Sequence, residues 1–571
     1  MRSLTIQPTG ITLRPNSARV LIRPFISGDA ARVVNIIGRA MALSETEIEE
    51  QLVAVTEDFG TRHLNLRAFW RRHFDRVKAH VFSGRPLSEA RQLYIGALFS
   101  GEYALESAAL FNPSIVPHPD QSGLAADELR FILSLRATGE GHISSIEFRT
   151  GIIHADHAIT MEEPSRFVTA PMLNPNPTYL KTVFLHKLME MGFENDWSTA
   201  VMTSLGDNFT LSELEKALRR AARASGPLPR EVQRTMECVR WLAESNYEVH
   251  FDPSVAVSER IIFPVSSNES NGMEDARFVR FTEDDGGVMY YATYTAYNGR
   301  AILPQLLETA DFLSFRALTL NGRAVQNKGM ALFPRRIGGR YAMISRQDDE
   351  NLFLMYSDNP HFWSDPQLLR RPRQSWEAVK IGNCGSPIET EAGWLVVTHG
   401  VGPMRKYSIG AMLLDLEDPS KIIGELEEPL LRPEGCRARG LRAERRLYLR
   451  RARASRPAHP PVRLERRGDE DCERRTRCVA RRALAALRCC CRGFFSIRHS
   501  AQRDREESRP DKCRLVFHEP RSIPFPPRDS QRVHHNALRP TARRGAWHGR
   551  HGESERDPRG RRDDAARREC D

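Results

Sequence analysis

Apolar residues at helical spacing occupy three stretches near the N-terminus, at 30–55, 64–81 and 87–99. Apolar residues three and four positions apart form one face of a helix, and that face packs against a core. Ser44 stands three residues before Glu47, a spacing that predicts a capping box at the start of a helix. The pattern therefore predicts a helical N-terminal region over residues 1–105.

A second stretch with helical composition lies at about residues 179–246 and is rich in Leu, Glu, Lys and Ala. On both sides of it the pattern is that of strands. Residues 130–136 and 143–148 predict a pair of strands joined by Gly139-Glu140-Gly141-His142. We therefore expect a β-domain over residues 106–432 that carries a helical insertion.

Three runs in the later part of this β-domain resemble one another, and each is an apolar strand that ends in a polar residue. The end residues are Thr295, Arg346 and His399, which lie 51 and 53 positions apart. A repeat of about fifty residues with several short strands is typical of a β-propeller, in which equivalent strand ends converge on a central channel. A two-sheet sandwich with accidental spacing is the alternative.

The formal net charge of +11 is unevenly distributed along the chain. Residues 433–571 contain 37 Arg, one Lys and 20 acidic residues, so this tail carries +18 and residues 1–432 carry −7. A nucleic-acid partner is therefore suggested by the tail alone. We expect no nucleic-acid binding by the β-domain.

Only two cysteines, Cys238 and Cys384, lie in residues 1–432, and the other eight lie in the tail. Scattered cysteines without ligand spacing fit a reducing compartment and predict no metal site. The N-terminus lacks an apolar segment of signal-peptide length, and no run of about 18 apolar residues predicts a membrane span. We expect a soluble, cytoplasmic protein.

Charge is concentrated in the stretch 266–281, where Glu274, Asp275 and Arg277 follow a polar loop and precede a β-run at 288–294. This order predicts that the three side chains lie at the mouth of a strand. A solvated turn with one local ion pair is the alternative, because structural ion pairs also cluster charges.

Polar residues are predicted at several such strand mouths, and most of them are cations. Arg and Lys bind phosphate through charge-assisted hydrogen bonds, so a cavity lined by them suits an anion. A lone carboxylate there can serve as a general acid, as in inverting glycoside chemistry. The predicted residues are Arg136, Glu140, His142, Asp275, Arg277, Lys328, Arg346, Lys380 and His399.

Six motifs occur in order along residues 272–420. They are Gly-Met-Glu-Asp-Ala-Arg-Phe (272–278), Asn-Lys-Gly-Met-Ala-Leu-Phe-Pro (327–334), Tyr-Ala-Met-Ile-Ser-Arg (341–346), Lys-Ile-Gly-Asn-Cys-Gly-Ser-Pro-Ile-Glu-Thr-Glu-Ala-Gly-Trp-Leu (380–395), Thr-His-Gly-Val (398–401) and Ile-Gly-Ala-Met-Leu-Leu-Asp-Leu-Glu-Asp-Pro-Ser (409–420). With these motifs the chain resembles glycoside hydrolase family 130 over about residues 112–431. That family contains β-mannoside phosphorylases and some β-mannosidases.

The resemblance implies a mainly β fold, a five-bladed β-propeller, and phosphorolysis of β-linked mannooligosaccharides to mannose 1-phosphate with inversion. Asp275 matches the catalytic acid, which protonates the glycosidic oxygen through the 3-hydroxyl of the mannosyl unit. Arg346, Lys380 and His399 match phosphate-binding positions, with inorganic phosphate as co-substrate and no cofactor. Arg136 and Lys328 match the sugar subsite. Further substrate contacts are expected from Glu140, His142, Asn271, Glu274 and Arg277.

The chain also departs from the family pattern, with Ala276 where Pro is commoner and Asn383-Cys384-Gly385 where a Pro-rich segment is common. Hydrolysing members lack the phosphate cations and use glutamates to activate water. Glu140, Glu269 and Glu350 are the candidates for that role, so an inverting β-mannosidase is an alternative. A sugar-binding propeller without turnover is another. The helical regions are expected to serve oligomer contacts, so a homo-oligomer is possible, or to wall the acceptor subsite.

The resemblance stops in residues 430–434, and the Arg-rich, Lys-poor tail that follows has the composition of GC-rich DNA read out of frame. Residues 440–451 can be written in codons that, read one base later, encode Gly-Tyr-Val-Pro-Asn-Val-Val-Tyr-Thr-Cys-Gly. A frameshifted tail, or a disordered one, would leave the last blade incomplete and its strand edges exposed. We therefore expect the chain with this tail to be poorly stable or impaired in activity.

Overall fold

The computed structural model describes residues 9–224 and 228–433, together with the backbone of residues 496–497. Strands form most of the regular structure, and the α-helices are confined to two regions. The expectation of a mainly β chain with some helices is confirmed. The expectations about an irregular or frameshifted tail fall on residues that, apart from 433 and 496–497, lie outside the described part of the chain.

Eight α-helices lie within the described residues, four before the β-region and four inserted in it. They are α1 (Ala30–Ala42), α2 (Glu45–Phe59), α3 (Leu66–Val77), α4 (Glu89–Leu98), α5 (Lys181–Glu190), α6 (Asp196–Thr203), α7 (Leu211–Ala224) and α8 (Arg230–Ser245). Short 3-10 helices span Lys78–His80, Glu140–His142, Val257–Glu259, Ser267–Glu269, Ser375–Glu377 and Pro403–Arg405.

The predicted capping box is present at the start of α2. The Ser44 hydroxyl accepts a hydrogen bond from the Glu47 backbone N–H at 3.2 Å, and the Glu47 carboxylate accepts one from the Ser44 N–H at 2.7 Å. Two backbone donors that the helix leaves unpaired are thereby satisfied. The helix therefore begins at Glu45 because of its own sequence.

Four antiparallel meanders of four strands each follow one another along the chain, and within each meander successive strands pair. Their strands are, for meander 1, Ala109–Pro117, Leu129–Thr138, Ser144–Ile153 and Ile159–Met161; for meander 2, Gly272–Thr282, Val288–Tyr297, Ile302–Thr309 and Ser314–Thr319; for meander 3, Ala331–Leu332, Tyr341–Ser345, Leu352–Ser357 and Gln367–Arg370; and for meander 4, Lys380–Asn383, Gly393–Val401, Tyr407–Leu414 and Ile422–Glu425.

Shorter strands complete the described sheets. Thr12–Leu13 pairs with Ser496–Ile497, Val20–Pro24 with Ser100–Ala104, and Thr178–Leu180 with Asn208–Thr210. Tyr247–His250 lies between meander 2 and Met172–Leu173, Ile261–Ile262 pairs with meander 1, and Ile388–Thr390 pairs with meander 4.

The three similar runs of the sequence occupy the second strands of meanders 2, 3 and 4. Arg136 lies near the end of the second strand of meander 1, a position equivalent to those of Thr295, Arg346 and His399. The repeat therefore reflects one structural unit used several times.

Neighbouring meanders are joined by shared apolar cores. Phe148 of meander 1 packs with Phe278 of meander 2, and their ring centroids are 5.9 Å apart. A second core joins meanders 2 and 3, and a third contains Ile344 of meander 3 and Val396 of meander 4. Because every meander contacts the next, the ends of their strands are brought toward a common region.

Helices α5 to α8 have a core of their own, in which Leu188, Leu214 and Leu242 are fully buried. The insertion is tied to the end of meander 2 by the Lys187 ammonium, which donates to the Leu320 carbonyl at 2.8 Å. The insertion is therefore a compact helical unit attached to the sheets.

Four buried ionisable side chains connect the N-terminal region to meander 1. The Arg19 Nε lies 3.0 Å from the Glu106 carboxyl group, and the Arg149 guanidinium lies 2.6 Å from the same group. Both arginines also lie 3.2 Å from the Glu147 carboxylate. Burial and the neighbouring Glu147 raise the pKa of Glu106 to about 8. The two guanidinium groups thus compensate the carboxyl groups away from water, where an unpaired charge is very costly.

Replacing Arg19 by methionine should strongly destabilise the fold, because it leaves two carboxylates that are 0 % exposed with one guanidinium between them. We expect a loss of about 3–5 kcal/mol in the free energy of unfolding, measured by urea denaturation. The matched control is Arg71→Met, which removes an exposed pair with Glu89 and should cost less than about 1 kcal/mol. Equal losses in the two variants would contradict this account.

Candidate active site

A β-bulge near the start of meander 2 places Asp275. The pairing of Gly272–Thr282 with the next strand shifts register between Glu274 and Arg277, and Asp275 has a φ of +56°. Aspartate is among the residues that tolerate this left-handed conformation. In a regular strand consecutive side chains point to opposite faces, but the bulge lets the carboxylates of Glu274 and Asp275 meet the same arginine.

That arginine is Arg136, near the end of the second strand of meander 1. One guanidinium nitrogen lies 3.0 Å from Asp275 Oδ1, a second contacts the Glu274 carboxylate, and Nε donates to Ser144 at 2.9 Å. The Lys328 ammonium contacts the other oxygen of Glu274. These contacts form a chain of alternating charges, Asp275 to Arg136 to Glu274 to Lys328.

Asn112 also contacts the Asp275 carboxylate. It lies in the first strand of meander 1, where the pairing also shifts register, and it has a φ of +53°. Its side-chain amide donates to Asp275 Oδ1. Sequence reasoning missed Asn112, because nothing in its neighbourhood indicates that this strand faces Asp275.

A second group of polar side chains comes from meanders 3 and 4. Arg346 Nη1 lies 3.2 Å from His399 Nε2, so this ring nitrogen accepts and the proton is on Nδ1. Nδ1 in turn lies 3.8 Å from the Cys384 sulfur. The Lys380 ammonium donates to the Asp349 carboxylate at 2.8 and 2.9 Å, and the same carboxylate lies 3.3 Å from Arg346.

Arg277 connects the two groups. A Cβ built at Gly329 would lie 3.8 Å from Arg277 Nη1, 3.4 Å from Arg346 Cβ and 3.7 Å from Asn383 Oδ1, so these three side chains surround one point. Within the described part of the chain, Arg277 Nη1 and Arg346 Nε are buried donors that have no hydrogen-bond partner. Unpaired buried donors of this kind are expected where an anion binds.

Desolvation and mutual repulsion shape the ionisation of this cationic group. Burial, with a further contribution from Arg346, lowers the pKa of Arg277 to about 10. Burial and the charges of Arg346, Arg277 and Lys380 lower the pKa of His399 to about 3. Burial raises the pKa of the Cys384 thiol to about 12. His399 is therefore neutral at pH 7, and the positive charge of the group comes from its arginines and lysine.

Eight of the predicted site residues are thus linked by side-chain contacts or charge interactions: Arg136, Glu274, Asp275, Arg277, Lys328, Arg346, Lys380 and His399. The arrangement places the Asp275 carboxylate near several cations. Asp275 is 26 % exposed, so a substrate can reach it. A proton donor facing an anion site is what these residues can provide chemically.

The remaining predicted contacts lie on exposed turns. Glu140 and His142 are exposed on the turn between the second and third strands of meander 1, and Asn271 is exposed just before the bulge. Their substrate contacts stay predictions.

Glu269, a candidate for activating water, has a structural role. It is fully buried, and its Oε1 accepts hydrogen bonds from the Tyr247 and Tyr294 hydroxyls at 3.0 and 2.7 Å. Its Oε2 accepts from the N–H groups of Val265 and Ser266, both at 3.0 Å. A carboxylate engaged in this way is not available to a water molecule in a cleft.

The site of this mainly β chain thus places a carboxylate, which can act as a general acid, near cations that suit an anion. Residues 231–438 match the family model of glycoside hydrolase family 130, described as beta-1,4-mannooligosaccharide phosphorylase. The resemblance seen in the motifs is therefore confirmed. Asp275, Lys328, Arg346, Lys380 and His399 lie inside the matched segment, and Arg136 lies before it.

Characterised relatives have related names. The chain is 35% identical over 182 residues to the 1,2-beta-oligomannan phosphorylase of Thermoanaerobacter sp. (strain X514), a match that covers 31% of this chain and 60% of the relative. It is 33% identical over 201 residues to a beta-1,2-mannobiose phosphorylase of the same organism, covering 33% of this chain and 59% of the relative. The chain thus spans about three fifths of the length of these relatives.

Among solved structures, the beta-1,2-mannobiose phosphorylase of Listeria innocua in complex with beta-1,2-mannobiose is similar to 59% of this chain and 80% of its own. The sequence identity is 15% and the TM-score is 0.33. A similarity of this size adds nothing to the matches between the sequences.

A methyl group at position 382 should disrupt the contact between Arg346 and His399. A Cβ there would lie 2.5 Å from His399 Cε1 and 2.7 Å from Arg346 Nη1, which is closer than atoms can approach. We expect Gly382→Ala to weaken the binding of inorganic phosphate about ten-fold or more, measured by isothermal titration calorimetry. Gly385→Ala is the matched control, because a Cβ at 385 has nothing within 4 Å. Unchanged binding in Gly382→Ala would contradict the role of this contact.

The ring of His399 should stay neutral over the usual working range of pH. The pKa of His399 is about 3 in the folded state, below the ordinary value of 6.5. Between pH 6.5 and pH 3 the ring is therefore protonated in the unfolded state and neutral in the folded state. The free energy of unfolding consequently decreases as pH falls from 6.5 toward 3. We expect its ring nitrogen shifts in NMR spectra to be constant from about pH 5 to 8. His399→Gln assigns the signal, and a midpoint near 6.5 would show that the ring is not enclosed by cations.

Proposed function

We propose that this protein catalyses the inverting phosphorolysis of β-mannosides to mannose 1-phosphate. The observation that carries the proposal is the cluster in which Arg277 interacts with both Asp275 and Arg346. Among the described residues, Arg277 Nη1 and Arg346 Nε are buried donors without a hydrogen-bond partner. The family match and the names of the relatives, which are mannoside phosphorylases, support it.

In the proposed reaction Asp275, in its protonated form, supplies a proton to the glycosidic oxygen through the 3-hydroxyl of the mannosyl unit. The bond between that oxygen and the anomeric carbon breaks, and an oxygen of inorganic phosphate forms a new bond to the same carbon from the opposite face. The sugar acceptor leaves with the proton from Asp275, and the proton lost by phosphate restores the acid. In the reverse direction the carboxylate form of Asp275, held by Asn112 and Arg136, serves as the base.

Arg346, Lys380 and His399 are proposed to hold the phosphate. An arginine presents two parallel donors to a phosphate, and lysine adds a point charge. A neutral His399 accepts from Arg346 at Nε2, so its proposed contribution is to orient that guanidinium toward the phosphate. Arg136 and Lys328, both bound to Glu274, are proposed to line the sugar subsite next to Asp275.

Phosphorolysis fits the geometry better than hydrolysis. An inverting hydrolase needs a second carboxylate to activate water. Glu269 is committed to four internal hydrogen bonds, and Glu140 and Glu350 are exposed on turns. In the proposed reaction, phosphate held by cations replaces that second carboxylate.

We further propose that the four meanders are blades of a five-bladed β-propeller and that the protein is cytoplasmic. The shared cores between successive meanders support the first proposal. No helix within the described residues is long and apolar enough to cross a membrane.

A β-linked mannooligosaccharide and inorganic phosphate are the proposed substrates. A homo-oligomer that forms through the helical regions is a further proposal.

Incubating the full chain with β-1,2- and β-1,4-mannobiose, with and without phosphate, tests the activity. We expect mannose 1-phosphate only with phosphate, a loss of about 100-fold or more in kcat for Asp275→Asn, and a rise of about ten-fold in the KM for phosphate for Lys380→Met. Lys421→Met is the matched control, because Lys421 is an exposed lysine paired with Asp418. Free mannose without phosphate would support hydrolysis instead, and neither product would support a sugar-binding role.

A further inference from the structure

Asp349 lies on the turn between the second and third strands of meander 3, and its backbone is held in an uncommon conformation. Its φ is +61°, in the left-handed region. The preceding Asp348 fixes the turn, because its Oδ1 accepts from the N–H groups of Glu350 and Asn351 at 2.9 and 2.8 Å. The backbone at Asp349 is thus held by the turn.

The carboxylate of Asp349 lies on the cations of the phosphate site. Both of its oxygens contact the Lys380 ammonium, at 2.9 and 2.8 Å, and one lies 3.3 Å from Arg346 Nη2. The side chains of Arg346 and Lys380 are only 9 % and 12 % exposed, so their charges are poorly screened by water. An internal anion therefore offsets part of the charge of the two cations that are proposed to bind an external one.

A phosphate dianion and this carboxylate are both negatively charged, and both would accept hydrogen bonds from Lys380 and Arg346. They cannot both bind these donors tightly, because like charges at short range repel. The Asp349 side chain is 51 % exposed, and the next two residues, Glu350 and Asn351, line an open cavity of about 800 Å³. The carboxylate thus has solvent to turn into when another anion arrives.

We propose that Asp349 is a specificity-determining residue of the phosphate site, an internal counter-ion that occupies Lys380 and Arg346 in the empty site and is displaced by phosphate. This inference rests on the proposed function, since it assumes that phosphate uses these cations. Displacement selects for anions with a greater charge than a carboxylate. It also sets the affinity for phosphate below the value that the cations alone would give.

Asp349→Asn in the full chain tests the proposal, because asparagine tolerates a positive φ and keeps the size of the side chain while removing its charge. We expect the Kd for inorganic phosphate, measured by isothermal titration calorimetry, and the KM for phosphate to fall about three- to thirty-fold. The kcat at saturating phosphate and the KM for mannobiose should change less than about two-fold. Sulfate binding should tighten similarly.

Asp358→Asn is the matched control. Asp358 comes directly after the third strand of meander 3, at the end opposite to the Asp349 turn. Its side chain is 88 % exposed and pairs with Arg340 at 3.4 Å. Its substitution should therefore leave phosphate binding unchanged. An equal or weaker affinity for phosphate in Asp349→Asn would overturn the proposal and show that Asp349 positions Lys380. Two other results would reject the proposed function itself. The first is that the unaltered chain does not bind phosphate, and the second is that Lys380→Met leaves its phosphate binding unchanged.

Discussion

The organisation of this protein depends on one electrostatic constraint, the crowding of cations at the ends of strands from different meanders. Arg277, Arg346 and Lys380 repel one another in a place where little water screens them, and the lowered pKa values of Arg277 and His399 reflect that repulsion together with burial. The carboxylates of Asp275 and Asp349 offset part of this cost. A site that retains unpaired donors after this compensation is prepared to bind an anion.

Backbone strain occurs at the same places. Asn112, Asp275, Asn327 and Asp349 all have φ values between +53° and +61°, and each is an Asn or an Asp that stands at a bulge or a turn of the cluster or beside it. Such conformations cost about 1–3 kcal/mol each for residues other than glycine, and they persist where surrounding structure holds them. In this protein the bulges turn polar side chains out of the regular alternation of a strand. The strain is therefore linked to the gathering of the cluster.

Periodicity in the sequence was sufficient for the local elements. The capping box at Ser44 and Glu47, the helices of both helical regions and the repeated second strands follow from spacing, because these depend on neighbours along the chain. The polar ends of the repeated strands also predicted that Arg346 and His399 lie close together, and their side chains are 3.2 Å apart. Glu140, His142 and Asn271 were grouped with them by sequence position, yet they lie exposed on turns.

The sequence by itself determined which residue types are available and which strands present them, and its motifs indicated the family whose model matches residues 231–438. Only the tertiary structure decided which side chains share a contact. Asn112 and Asp275 are 163 positions apart, and they meet because two bulges in different meanders face each other. Glu269 stands six positions before Asp275, but its four hydrogen bonds direct it into the core. The physical reason is that spacing along a strand fixes the face of a side chain, whereas packing between sheets fixes its partners.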